Sequence, residues 1–245
     1  MTAPSPAFVK GLAGVVAAQT ALSSVDGING VLTYRGLNIH DLAGNVEYEE
    51  IVHLLLYGTL PTQAQLAALK KELAANRKLP KAVLDLIRSA PKKAVPMDAL
   101  RTVVSALALY EKDVDDISLE ATRRKGLRLT AQMATVVAAI QRVRKGKEIL
   151  NPRPGLNHAE NFLYMLHGEQ QSRLENETMN LYFVLLADHS FNASTFTARV
   201  VSSTNADFHA AATAALGALK GNLHGGAAEA TMNTLLEIGS LEKVD

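Results

Sequence analysis

Cysteine is absent from this chain of 245 residues, which excludes disulfides, thiolate nucleophiles and cysteine-ligated metals. The absence fits a reducing cytosol, and a cytoplasmic location is the expectation. A surplus of either charge is missing too. With 25 basic side chains against 24 acidic ones, general attraction to nucleic acid or to an anionic membrane is not expected. No apolar run approaches the roughly 20 residues of a membrane helix. The apolar stretch 11–22 is short and residues 1–6 carry no basic start, so it reads as mature protein rather than a signal peptide. His-x-x-x-His and His-Glu-x-x-His spacings do not occur, and no metal site is expected. Neither a phosphate-binding Gly-x-x-x-x-Gly-Lys nor a Gly-x-Ser-x-Gly is found, which removes the simplest nucleotide and serine-hydrolase readings.

What is present is an ordinary globular composition, with 48% hydrophobic residues to supply a core. Runs 21–25 and 31–34 have β-type side chains around Asp26-Gly27 and Asn29-Gly30, dipeptides that favour a hairpin, and no other sheet is expected. From Tyr48 the pattern turns helical, with Ile51, Leu54 and Leu55 on one face and a stop at Gly58. Thr62 and Gln65 offer a capping box to a helix whose stripe is Leu66, Leu69 and Leu73. Pro80, Pro91 and Pro96 cut the following stretch into short helices. One long helix is expected over 117–144, a loop over 146–156, and helices near 157–167, 173–187, 194–204, 206–219 and 227–238. No internal repeat and no linker divides the chain, so 1–245 reads as one unit. The basic runs Arg123-Arg124-Lys125 with Arg128, and 142–147, read as solvated helix faces.

Two histidines stand at element ends. His224, in Leu-His-Gly-Gly, precedes the helix over 227–238, where unpaired N–H groups and the helix dipole disfavour an imidazolium. A neutral imidazole there suits donation to a carbonyl oxygen that is becoming an enolate. Gly225 and Gly226 would let the backbone approach a ligand. The alternative is a capping histidine in a glycine-rich turn. His189 follows Asp188, with Asn192, Ser194 and Thr195 just beyond, a donor set able to hold a carboxylate. The alternative there is helix capping by Asn192 or Ser194. His40, His53, His158, His167 and His209 have no convergent sequence partners and read as structural.

The run from Ala187 to Thr204, followed by Gly-Ala-Leu-Lys-Gly-Asn-Leu-His-Gly-Gly-Ala-Ala-Glu over 217–229, resembles the citrate synthase family. Lys10-Gly-Leu-Ala-Gly, Asp26-Gly27, Tyr34-Arg35-Gly36, 54–61 and Leu156-Asn157-His158-Ala159-Glu160-Asn161-Phe162 continue the resemblance in order. It implies an all-α, multihelical large domain with a small N-terminal β-hairpin, a dimer of packed helices, and Claisen-type condensation of an acyl-CoA with a 2-oxo acid. Acetyl-CoA would be a co-substrate, and no permanently bound cofactor is implied. By the same resemblance His224 is catalytic, hydrogen-bonding the acetyl-CoA carbonyl as the enol forms. His189 helps bind oxaloacetate, with Asn192 beside it. Ser190 and Ala228 depart from the glutamate and asparagine often found at those positions.

Family members continue into a smaller domain with a Gly-His-Arg motif, whose histidine polarises the oxaloacetate carbonyl, and an aspartate that deprotonates the acetyl methyl group. Neither element is matched here. Deprotonation needs a positioned base, and Glu229, five residues along a helix from His224, would point elsewhere and reads as structural. The chain alone is therefore expected to be nearly inactive and to bind dicarboxylates weakly. Three readings stay open: a large-domain part of a citrate or 2-methylcitrate synthase, as homodimer, joined to a chain bearing the small domain, or shortened by a missing segment; a non-catalytic binding or assembly module; or a citryl-type lyase.

Overall fold

The computed structural model describes residues 15–243. The start of the apolar stretch at Gly11, the match at Lys10 to Gly14 and the last residue, Asp245, lie outside the described residues. So do the side chains of 227–229, Glu229 among them.

The chain begins with a small antiparallel sheet. Strands β1 (Ser23–Asp26) and β2 (Val31–Tyr34) pair with Asp26 opposite Val31, across a loop in which Asp26 Oδ1 accepts from the backbone N–H groups of Ile28 and Asn29. The expected hairpin is there, but a third strand, β3 (Leu37–Asn38), joins it. Its turn is Arg35-Gly36, both at positive φ (50° and 87°), the twist a two-residue hairpin loop requires. A non-glycine residue at positive φ is uncommon. Arg35 is held there by its guanidinium, which donates to Leu55 O at 2.8 Å.

Helices supply the rest: α1 (Ile39–Leu42), α2 (Tyr48–Tyr57), α3 (Gln63–Asn76), α4 (Lys81–Ser89), α5 (Pro96–Leu107), α6 (Leu119–Arg144), α7 (His158–His167), α8 (Arg173–Leu185), α9 (Ala193–Ser202), α10 (Phe208–Leu219) and α11 (Gly226–Ile238). The sequence signals for their ends act as read. Gly58 stops α2 at φ 91°, Thr62 and Gln65 form a reciprocal box at the start of α3, and Pro96 opens α5. Leu66, Leu69 and Leu73 are buried. None of the described helices is long and apolar enough to cross a membrane.

Helix α6, about 39 Å long at 1.5 Å per residue, is the spine. Its face with Leu129, Val136, Ala139 and Ile140 packs against Val83 and Ile87 of α4 and Val103, Val104 and Leu107 of α5. Another face, Leu127 and Ala131, meets Val52 of α2 and Leu69 and Leu73 of α3. Alanines 134 and 138 admit Tyr164 and Met165 of α7 at close range. Burying each large aliphatic stabilises by about 1.5–3 kcal/mol. The basic runs are not wholly solvated. Lys125 is 1% exposed because its ammonium is surrounded by the carbonyl oxygens of Asp113, Val114 and Asp116. Arg142 is buried too, donating to Glu148 O and Leu166 O.

The chain also repeats a form that its residue identities hide. Helices α2 and α7 each have ten residues, begin with a capping box (Glu47 with Glu50, Asn157 with Glu160) and end on a left-handed glycine, Gly58 or Gly168. Each glycine is followed by a second boxed cap, Thr62 or Ser172, that opens α3 or α8. Every one of these positions is offset by the same interval. The recurrence is one of cap placement and helix length. The two copies meet at equivalent positions, with the rings of Tyr48 and His158 5.1 Å apart.

Candidate active site

The candidate site lies at the N-terminal end of α9, and the small sheet positions it. Tyr34, fully buried at the end of β2, donates its hydroxyl toward the carbonyl oxygens of Val184 and Leu185, both at 3.0 Å. The same oxygen accepts from Asp188 N at 3.4 Å. Burial pushes the phenol's pKa upward, so it stays a neutral donor. One residue pair further, Ser190 N donates to Ser23 Oγ of β1 at 2.7 Å. That bond accompanies a positive φ of 56° at Ser190, an unusual backbone state for a side-chain-bearing residue. Segment 186–191, which carries His189, is thus pinned on both sides. His189 itself is exposed and has no hydrogen-bond partner among the described residues.

Asn192 is the N-cap of α9, its Oδ1 accepting from Thr195 N at 2.9 Å. The capping alternative is therefore realised for this residue, and its side-chain oxygen is occupied. Phe191, just before it, is held edge-on to Phe196 and under the guanidinium of Arg199.

Helices α9 and α10 pack side by side, and the chain leaves α10 through a turn over 221–225 in which His224 N and Gly225 N both donate to Gly221 O. This turn returns His224 to α9. Its Nε2 lies 2.7 Å from Ser194 Oγ, and the same hydroxyl lies 3.0 Å from Ala215 O of α10. A serine hydroxyl has one proton to give. If it goes to Nε2, a neutral ring is the Nδ1–H tautomer and Nδ1 is left as a donor. If it goes to Ala215 O, Nε2 holds the proton and donates to Ser194. The pair thus couples the tautomer of His224 to a choice made by Ser194.

Gly225 has an internal reason to be glycine. A Cβ there would stand 2.0 Å from Leu219 O, whereas one at Gly226 would meet nothing nearer than 3.9 Å. The close approach permitted by Gly225 is to the chain's own backbone. Ser194, noted in the sequence as a cap or carboxylate donor, proves to be the partner of His224, a link across 30 residues that spacing does not carry. Two other histidines are tied into the fold: His158 is buried between Tyr48 and Phe183, and His53 Nδ1 lies 2.8 Å from Thr59 O. Among the described residues no group of three His, Asp or Glu side chains is placed to hold a metal.

Comparison with known proteins adds the decisive observation. The family described as "Citrate synthase, C-terminal domain" matches residues 11–245. The chain belongs to the citrate synthase family. It is similar to the citrate synthase of Deinococcus radiodurans, with 44% identity over 97% of this chain and 63% of that protein. It is equally similar to a 2-methylcitrate synthase of Mycobacterium tuberculosis, with 43% identity over 98% of this chain and 61% of that one. The fold matches the Thermoplasma acidophilum citrate synthase solved as a ternary complex with carboxymethyl coenzyme A and oxaloacetate, at a TM-score of 0.87 and 32% identity, over 94% of this chain and 61% of that one. The chain therefore spans somewhat over three fifths of the length of these citrate synthase relatives.

Proposed function

We propose that this chain contributes the acyl-CoA-activating half of a citrate synthase, in which acetyl-CoA condenses with oxaloacetate to give citrate and free CoA. The observation that supports it best is the Ser194 to His224 contact. With Ser194 donating to Nε2, His224 Nδ1–H is a fixed donor for the thioester carbonyl, stabilising the enol oxygen that forms as a methyl proton leaves. The enol carbon then attacks the ketone of oxaloacetate, and hydrolysis of the citryl thioester releases CoA. His189, exposed beside the Asn192 cap, supplies a donor for an oxaloacetate carboxylate.

The proton acceptor and the group polarising the oxaloacetate ketone are assigned to the part of the relatives' length that this chain does not span, carried by a second chain or by a missing segment. Among the described residues no carboxylate is a hydrogen-bond partner of His224. An apolar surface nearby supports this: on α11, Met232, Leu235 and Leu236 are 54%, 58% and 71% exposed, a grouping that marks interaction surfaces. We place the assembly in the cytoplasm as a homodimer or a hetero-oligomer, its mass to be read by sedimentation.

The test is CoA release from acetyl-CoA and oxaloacetate, then from propionyl-CoA, by the chain alone and with a polypeptide supplying the remaining part of the relatives' length. Activity in the mixture only, abolished by His224→Ala, is the expected result. Turnover by the chain alone would overturn the division of labour, and none in either case would favour a non-catalytic module. The propionyl-CoA arm separates citrate from 2-methylcitrate formation.

A further inference from the structure

A cavity of about 550 Å³ opens where the end of α3, the turn after α5, the middle of α6 and the start of α10 meet. None of the residues used in the proposed condensation lines it. Its wall is preformed, because the buried Lys125 ammonium fixes the 113–116 loop through Val114 O at 3.0 Å and Asp116 O at 2.7 Å. The two carboxylates of the wall are committed. Glu111, its side chain 3% exposed, pairs with Arg128, and Asp113 pairs with Arg124 at 2.8 Å. Lys78 and Lys112 also line the cavity, are solvent-exposed, and pair with no carboxylate among the described residues. Its uncommitted charge is therefore positive.

The inner wall is polar but uncharged. It includes Gln132 and His209, both buried, and His209 Nδ1 has no hydrogen-bond partner. Burial lowers the His209 pKa against the pull of Glu111 and Asp207, so the ring is neutral at pH 7. That nitrogen is enclosed by protein, so the ring offers the cavity its face, and the Gln132 amide is the uncharged polar group left to meet a bound molecule. Tyr110, half-exposed, adds an aromatic face to the lining.

We infer that this cavity is a second ligand site, taking a small organic anion whose phosphate or carboxylate head pairs with Lys78 and Lys112 while its body hydrogen-bonds Gln132 and packs against the His209 ring. Charge-assisted contacts to two lysines give the affinity, and the neutral inner wall selects a body with hydrogen-bonding groups over a bare inorganic ion.

Equilibrium dialysis of the purified chain tests this with two probes, adenosine monophosphate for a phosphate head and nicotinate for a carboxylate head. Saturable binding of at least one is expected. It should weaken about tenfold or more in a Lys78→Ala, Lys112→Ala double variant, as loss of charged hydrogen bonds implies. Gln132→Leu should weaken it without changing charge, and His224→Ala should leave it as in the parent chain. The exposed lysine positions keep the double variant folded, which a circular dichroism melt checks. No saturable binding of either probe, or binding that survives loss of both lysines, overturns the proposal.

Discussion

The hydroxyl of Tyr34 lies 3.0 Å from the carbonyl oxygen of Val184, joining β2 to the end of α8 across 150 residues of sequence. The small sheet thereby holds the segment that carries His189. Tyr34→Phe keeps the buried ring and removes the hydroxyl that serves Val184, Leu185 and Asp188. The expected cost is about 1–2 kcal/mol in urea unfolding, with faster amide exchange over 184–190. An unchanged midpoint and unchanged exchange would show that the sheet does not hold the segment.

Ser194→Ala is expected to leave the fold intact, since alanine suits a helix, while freeing the His224 ring. In the complemented CoA-release assay the rate should fall on the order of 100-fold, the scale of a small misplacement of a reacting group. The ¹⁵N shifts of His224 should move with it. A purely structural serine would change neither, and Ser194→Thr, which restores a hydroxyl, should recover part of both.

A methyl group at Gly225 has no room, because the atom it meets is backbone oxygen at 2.0 Å. Gly225→Ala should cost about 1–3 kcal/mol by overpacking and displace the turn that returns His224 to Ser194. Gly226→Ala, with nothing nearer than 3.9 Å, should melt at or slightly above the parent temperature. Equal melting of the two variants would remove the close approach as the reason for glycine at 225.

Stability should fall in mild acid. Burial, then the nearby Arg77, lowers the His158 pKa from 6.5 to about 4. The unfolded chain therefore binds this proton at higher pH than the folded chain. The contribution of His158 is fully present above pH 6.5 and is lost as pH falls toward 4, about 3 kcal/mol over the window. Buried Glu49 acts in the opposite sense: its pKa is raised, so its ionisation costs stability as pH rises above 4.5. His158→Phe should flatten the acid limb of urea midpoints measured from pH 7 to 4. A limb as steep as the parent's would remove His158 as its source.

What the sequence made legible is what one stretch of backbone decides for itself. Gly58, Thr62 with Gln65, Pro96 and the stripe Leu66, Leu69 and Leu73 each act within a turn or two, so residue type and spacing carry the information. Asn192 was legible as a cap for the same reason. The Arg35-Gly36 turn was not, because a non-glycine at positive φ is chosen by a partner, Leu55 O, that lies on another element. Ser194 with His224, and Tyr34 with Val184, depend on how helices stack, and no local pattern encodes them. The matching caps of α2 and α7 escaped because the boxing glutamates Glu50 and Glu160 and the closing glycines Gly58 and Gly168 recur amid largely different residues. Glutamate caps one, asparagine the other.

The Lys125 ammonium sits among three converging backbone oxygens, as a calcium ion sits in a loop of carbonyls. Here the cation is tethered to the chain it organises, so its local concentration never falls and no ion has to be captured or released. The 113–116 loop should keep its shape in chelator and in dilute buffer alike. Its one point of failure is chemical: a reagent or enzyme that neutralises that nitrogen in the unfolded chain would send the loop into the fold without its ion.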